Sequence, residues 1–102
     1  IIRRIDMISS KQRSYLRGLA NTIQPIFQVG KNGIDEAFLK QVEDALEARE
    51  LIKIKVLNNS EYTAREASDE ICEKLNCEGI QAIGNILVLY KKSKNKPKIE
   101  LP

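Results

Sequence analysis

Pro25 to Asp35 reads PIFQVGKNGID, and the other predicted elements are arranged around this segment. Its apolar run, residues 26–29, is too short for anything but a buried strand, and Pro25 prevents a helix from continuing into it. The run stops at Gly30-Lys31-Asn32-Gly33, hereafter the GKNG loop, and an amphipathic helical pattern begins directly afterwards. The sequence therefore predicts a strand, a loop bracketed by glycine and a helix N-terminus.

The GKNG loop has the composition of an anion-binding turn. Glycine at both ends permits positive φ and leaves no Cβ to block the approach of another molecule. We expect the N–H groups of the loop and of the first helical turn to point outward at the positive end of the helix dipole, with Lys31 at the tip. This arrangement suits a phosphate group. A plain turn between a strand and a helix has the same spacing, so the loop alone leaves both interpretations open.

A basic helix is predicted before this strand. Ser9 and Gln12 have the S-x-x-Q spacing of a capping box, and apolar residues, Tyr15 among them, recur at helical spacing over about residues 10–21. The aromatic side chains mostly occupy positions typical of a core, so no base-stacking platform is predicted. The exposed face of the helix should carry Lys11, Arg13 and Arg17.

Two further helices are predicted after the GKNG loop. Asp35 is placed to be the N-cap of a helix that ends near Arg49. Ser60 is placed to be the N-cap of another, over about residues 61–75. Both helices carry acidic residues on the faces expected to be exposed.

The clearest alternation in the chain is LIKIKVL, residues 51–57. It predicts a strand with apolar side chains on one face and Lys53 and Lys55 on the other. Residues 80–83 and 86–90 form two more apolar runs, and Gly84-Asn85 between them indicates a two-residue hairpin.

These elements have the order αβαβαββ. A helical crossover favours parallel pairing and the hairpin is antiparallel, so we predict an α+β fold with two layers, a mixed four-stranded sheet packed against helices. The helices should cover one face of the sheet and leave the second partly open, with the lysines on it. A single domain is expected over residues 7–92, followed by a basic tail, residues 93–102. The basic stretch KKSKNKPK (residues 91–98), which leads into this tail, should be poorly ordered.

Charge alternates along the chain although the net charge of the 102 residues is only +3. Residues 7–34, 51–59 and 79–98 contain basic residues and no acids, whereas residues 35–50 and 60–78 are each predominantly acidic. Any one of these runs could be an ordinary solvated face. The regular alternation predicts a molecule with one acidic and one basic side, and such a division can steer a polyanion to one surface.

Several classes of function are disfavoured by the sequence. The chain has no histidine, its carboxylates have the spacing of solvated helix faces, and neither a Walker loop nor a G-x-G-x-x-G motif occurs. Cys72 and Cys77, spaced C-x4-C without histidine, do not form a zinc pattern and are expected to be reduced thiols. We therefore predict a protein that is not an enzyme and needs no cofactor, metal ion or small-molecule substrate.

Location is predicted from similar absences. No run approaches the roughly 20 apolar residues that span a bilayer, so we expect no membrane partner and a cytoplasmic monomer. Residues 1–6 lack the apolar core of a signal peptide and are interpreted as an addition that precedes the native start, Met7.

Four motifs, in order, resemble the CRM domain (chloroplast RNA splicing and ribosome maturation), particularly the stand-alone bacterial proteins of the YhbY type. They are LRGLA from Leu16, VGKNGI from Val29, ELIKIKV from Glu50 and IGNILVLY from Ile83. The similarity covers essentially residues 7–102. It implies an RNA-binding domain similar in fold to the C-terminal domain of bacterial translation initiation factor three. Bacterial members are associated with precursors of the large ribosomal subunit and plant relatives with group II intron splicing. By position, the GKNG loop corresponds to the family's RNA-contacting loop.

The leading hypothesis is thus a non-enzymatic RNA-binding protein that acts in ribosome assembly and contacts mainly the RNA backbone. A protein-interaction module that uses the acidic helix faces, or a general nucleic-acid binder that also accepts DNA, remains an alternative. The predicted RNA-binding residues are Gly30, Lys31, Asn32, Gly33, Lys11, Arg13, Arg17, Lys53, Lys55, Lys91 and Lys92.

Overall fold

Within residues 8–102, three helices and four strands follow one another in the predicted order. The computed structural model describes residues 8–102, so the expectations for residues 1–6 and Met7 lie outside the described residues. The elements are α1 (Ser10–Ala20), β1 (Phe27–Val29), α2 (Glu36–Arg49), β2 (Leu51–Val56), α3 (Ala64–Leu75), β3 (Glu78–Ile83) and β4 (Ile86–Tyr90).

The strands form one mixed sheet in the order β1-β2-β4-β3, which confirms the predicted α+β fold. β1 pairs in parallel with β2, and α2 is the crossover between them. β4 is antiparallel to both of its neighbours, and the ladder between β3 and β4 contains one irregularity at Gly79/Gln81. The hairpin turns at Gly84-Asn85 as predicted, with Gly84 at φ +61°.

The two faces of the sheet have separate hydrophobic clusters. On the first, the α2/α3 face, Ile52, Ile54 and Val56 of β2 pack with Leu46 of α2 and Ile71 of α3. On the second, the α1 face, Leu51, Val88 and Tyr90 pack with Leu16 and Ala20 of α1. α1 thus covers part of the face that was expected to be partly open, because its apolar stripe needs a partner of its own.

The third helix begins later than predicted. Its N-cap is Thr63, which forms a capping box with Glu66, and the helix starts at Ala64. The Ser60 hydroxyl instead accepts a hydrogen bond from the Tyr62 N–H at 3.0 Å. The T-x-x-E spacing in the sequence was the better signal, since it satisfies two backbone N–H groups reciprocally.

The basic tail is held against the domain, contrary to the expectation of poor order. Glu50, fully buried at the end of α2, accepts the N–H of Ser93 at 2.8 Å and those of Lys98 and Ile99 at 2.7 Å each. Glu47, one turn earlier, accepts the Ser93 hydroxyl and the N–H groups of residues 94 and 95. The expectation was wrong because it considered the tail's own composition and not the carboxylates that its backbone could reach.

Candidate nucleic-acid interface

Three turns meet at one end of the sheet. The GKNG loop follows β1, residues 57–60 follow β2, and Gly84-Asn85 precedes β4. Two backbone hydrogen bonds join them: Leu57 N–H donates to the Val29 carbonyl at 2.9 Å, and Val56 N–H donates to the Asn85 carbonyl at 2.7 Å. The GKNG loop, residues 57–60 and Gly84-Asn85 are hereafter called the three-turn end.

The GKNG loop is a closed turn with two exposed residues at its tip. Gly33 N–H donates to the Gly30 carbonyl at 3.1 Å, and Gly33 has φ +72°, which favours glycine. Gly30 does not have positive φ, contrary to the expectation for both glycines; a Cβ there would lie 3.5 Å from Leu57 Cδ1, an ordinary contact. Lys31 and Asn32 are both exposed.

The loop does not supply the N-terminus of α2 to a ligand in the way predicted. α2 begins at Glu36, three positions after Gly33, and the Asp35 carboxylate accepts the Phe38 N–H at 2.8 Å. Because the cap is itself a carboxylate and Glu36 adds a second in the first turn, the positive end of the helix dipole is already compensated. An anion at this loop would depend on Lys31 and the turn backbone.

Lys53 and Lys55 lie on the α1 face, as their alternation with buried neighbours requires. Their β4 partners are Val88 and Ile86, and Lys55 is also the register partner of Gln28 in β1. Both lysines are half-buried. Lys55 is therefore one residue before the end of β2 and lies next to the three-turn end.

The basic residues of α1 differ from one another in their surroundings. Lys11 is exposed and Arg17 is half-buried. The Arg13 guanidinium donates to the Gly79 carbonyl and lies 3.8 Å from a Glu78 carboxylate oxygen, so it already ties α1 to β3. α1 and the two lysines of β2 share one face of the sheet, but Arg13 contacts Gly79, whose partner Leu89 lies toward the end of β4 opposite the three-turn end.

Lys91 and Lys92 are not brought to the three-turn end. They follow the last residue of β4, whose partner is Leu51 at the start of β2, at the opposite end of the sheet. Lys91 Nζ donates to the Leu75 carbonyl at 2.9 Å and so satisfies a terminal carbonyl of α3. Lys92 is exposed.

The acidic helices and the basic helix pack on opposite faces of the sheet, although Glu78 lies beside Arg13 of α1. The acidic helices α2 and α3 pack on one face of the sheet, while α1, Lys53 and Lys55 lie on the other. Part of the acidic charge is neutralised within the helices by pairs four residues apart, which join Lys40 to Asp44, Arg65 to Asp69 and Lys74 to Glu70. The division of the whole surface into an acidic and a basic side stays a prediction.

The two carboxylates that hold the tail, Glu50 and Glu47, have lowered pKa values. Burial by itself raises the pKa of Glu50, but the N–H groups of Ser93, Ile99 and Lys98 outweigh it and leave the pKa below its ordinary value. Hydrogen bonds from the backbone of Lys94, the Ser93 hydroxyl and the Asn95 backbone lower the pKa of Glu47. Both groups serve the tail and lie apart from the three-turn end.

The structure also bears on the predictions for Tyr15, the two cysteines, metal ions and membrane spans. Tyr15, predicted to face the core, is 43% exposed on α1. Cys72 and Cys77 are not joined by a disulfide, although their Sγ atoms are 3.6 Å apart. Within residues 8–102, no group of His, Cys, Asp or Glu side chains could hold a metal ion, and no helix has the length and apolar character needed to cross a membrane.

The polar residues around the GKNG loop were not among the predicted RNA-binding residues. Asn58, Asn59 and Asn85 lie in the two adjacent turns and are exposed. The signal that could have found them was their position directly after or before strands that share one end of the sheet.

Comparisons with known proteins agree with one another. Residues 8–91 match the CRS1/YhbY (CRM) domain. The chain is 45% identical over 96 residues to the Bacillus subtilis protein named "Probable RNA-binding protein YqeI", covering 94% of this chain and all of the relative. It is 39% identical over 95 residues to a Haemophilus influenzae protein named "RNA-binding protein", with 93% and 95% of the two chains covered. The solution structure of a hypothetical Staphylococcus aureus protein, described as a candidate RNA-binding protein, superimposes with a TM-score of 0.71 at 46% identity, covering 94% of this chain and all of the other.

Proposed function

The chain belongs to the CRS1/YhbY (CRM) domain family, and from this premise we propose that it is a non-enzymatic RNA-binding protein. In this proposal the protein binds ribosomal RNA or a precursor of the large ribosomal subunit during ribosome assembly. It acts as a monomer in the cytoplasm. The relatives named as RNA-binding proteins support the RNA partner.

The observation that carries the proposal is the position of the GKNG loop. Its exposed tip, Lys31 and Asn32, adjoins a sheet face on which Lys53 and Lys55 stand. The segments that build this region, residues 26–34, 51–59 and 79–90, contain no acidic residue. A phosphate backbone that follows this region would meet lysine ammonium groups without crossing a carboxylate on those segments.

Salt dependence tests the proposal. Contact with about four phosphates predicts a log–log slope of affinity against salt of about −3 to −4. Docking of a protein partner on the acidic faces of α2 and α3 would leave RNA binding weak and would not produce this slope. The probe is a fluorescent stem-loop of ribosomal RNA sequence, titrated at several potassium chloride concentrations.

Lys31→Ala should weaken RNA binding and make the slope about one unit shallower, because one phosphate contact is lost. The free energy of unfolding should not change, since the side chain is exposed. Lys40→Ala is the matched control, because Lys40 is an exposed lysine on α2 at the acidic side. Equal affinities of Lys31→Ala and wild type at moderate salt would contradict the role of the loop.

The assembly role needs a separate experiment. Cell extract is sedimented through a sucrose gradient at low salt, and the protein is located by immunoblotting. We expect it to travel with immature large subunits. A protein that stays at the top of the gradient would argue against assembly while leaving RNA binding intact.

A further inference from the structure

Four exposed asparagines belong to the three-turn end. The chain has seven asparagines, and four of them lie in its three turns: Asn32, Asn58, Asn59 and Asn85. The turns are in mutual contact, since a Cβ placed on Gly30 would lie 3.8 Å from Asn59 Oδ1. Asn85 precedes β4, and β2 lies between β4 and β1 in the sheet. The side-chain amides are therefore spread over about 10 Å.

Positive φ does not explain these asparagines, although Asn85 also suits the second position of the two-residue hairpin turn after Gly84. Asparagine is frequent in turns because it tolerates positive φ, yet within residues 8–102 the non-glycine residues with positive φ are Glu50 and Asn76. None of the four side chains makes the local hydrogen bond of an Asx turn with another described residue. Their carboxamides are therefore available to a ligand.

A carboxamide recognises something that a lysine cannot. Lysine only donates, and phosphate oxygens only accept, so lysines contact RNA and DNA backbones alike. A carboxamide both donates and accepts, as does the ribose 2′-hydroxyl, which is the group that distinguishes RNA from DNA. Amides beside Lys31 and Lys55 are placed to contact sugars while the lysines contact the neighbouring phosphates.

We propose that the asparagines of the three-turn end bind ribose 2′-hydroxyl groups and so give the protein a preference for RNA over DNA. The proposal rests on the proposed function, because it needs RNA to be bound at this end. It assigns discrimination to Asn58, Asn59 and Asn85, in the two turns that lie beyond the GKNG loop.

The test compares the variant Asn58→Ala/Asn59→Ala/Asn85→Ala with wild type on three probes of one stem-loop sequence: RNA, DNA and 2′-O-methyl RNA. We expect the triple variant to lose at least about tenfold in RNA affinity, as the loss of several neutral hydrogen bonds implies, with little change for DNA. Its salt slope on RNA should equal that of wild type, since no charge is removed. Wild type should bind 2′-O-methyl RNA more weakly than RNA.

Asn95→Ala is the matched control, because Asn95 is exposed in the tail at the other end of the molecule. None of the substituted residues has positive φ, so alanine introduces no backbone strain, and equal thermal unfolding midpoints verify the fold. Equal losses on RNA and DNA, or no loss on either, would overturn the sugar contact. In both cases a Lys31→Ala defect would keep the proposed function standing, whereas a wild type that bound no RNA probe would refute both.

Discussion

Glu50 offers the sharpest test of how this fold is held together. It ends α2 at φ +68° and ψ −38°, is fully buried, and its carboxylate accepts three backbone N–H groups of the tail. The residue thus combines an unfavourable backbone conformation with a favourable side-chain role. Substitutions can separate the two contributions.

Glu50→Ala should lower the free energy of unfolding by about 2–4 kcal/mol. Hydrogen bonds to a charged group contribute about 1.5–3 kcal/mol each, but the tail can detach and regain water, so the full sum is not lost. Glu50→Gly removes the same carboxylate and relieves the positive φ, so it should be about 1 kcal/mol more stable than Glu50→Ala.

The assay is urea denaturation at pH 7, combined with amide hydrogen exchange of Ser93, Lys98 and Ile99. In both variants these amides should lose protection, and trypsin should cleave within residues 94–98 faster than in wild type. A Glu50→Ala protein within about 0.5 kcal/mol of wild type, with the tail amides still protected, would show that the carboxylate does not hold the tail. An alanine variant more stable than the glycine variant would refute the strain argument alone.

Among the remaining predictions, lowering the pH should release the tail before the domain unfolds. The folded pKa of Glu50 lies below its ordinary value of 4.5, so its stabilising effect is present above pH 4.5 and is lost as the pH falls through the folded pKa, which exchange of the tail amides will report. Gly33→Ala should cost about 1 kcal/mol because of positive φ, whereas Gly30→Ala should stay within about 0.5 kcal/mol in thermal unfolding. Gly79→Ala would place Cβ 2.7 Å from Ser68 Oγ and should destabilise by about 1–3 kcal/mol; prior substitution Ser68→Ala should reduce that loss in a double-mutant cycle. Lys91→Met should lower stability by about 0.5–1.5 kcal/mol, because it removes a hydrogen bond to α3 and keeps the apolar stem.

Local patterns were sufficient for most of the secondary structure. The Ser9 capping box, the Asp35 cap and the alternation of residues 51–56 each act over a few neighbouring residues, and each was confirmed. Where two local signals competed, as at Ser60 and Thr63, the wrong one was chosen, although the better one was also local.

The candidate site was predictable only in its separate parts. Lys31, Lys53 and Lys55 were identified as basic residues on a loop and an open face; Lys31 and Lys55 lie at the three-turn end, whereas Lys53 lies in the middle of β2. Arg13 and Lys91 were chosen on charge alone, and both side chains have contacts within the fold that connect distant segments. No charge pattern could reveal those contacts.

The element order, the family and the division into acidic and basic segments were predictable from the sequence, because caps, periodicity and charge runs are properties of contiguous residues. The tertiary structure alone decided that α1 covers part of the lysine-bearing face, that three turns share one end, and that Glu47 and Glu50 hold the tail. Each of these three arrangements joins groups that are more than about 25 positions apart in the chain. Burial of the two apolar clusters brings them together, and no pattern in neighbouring residues indicates such proximity.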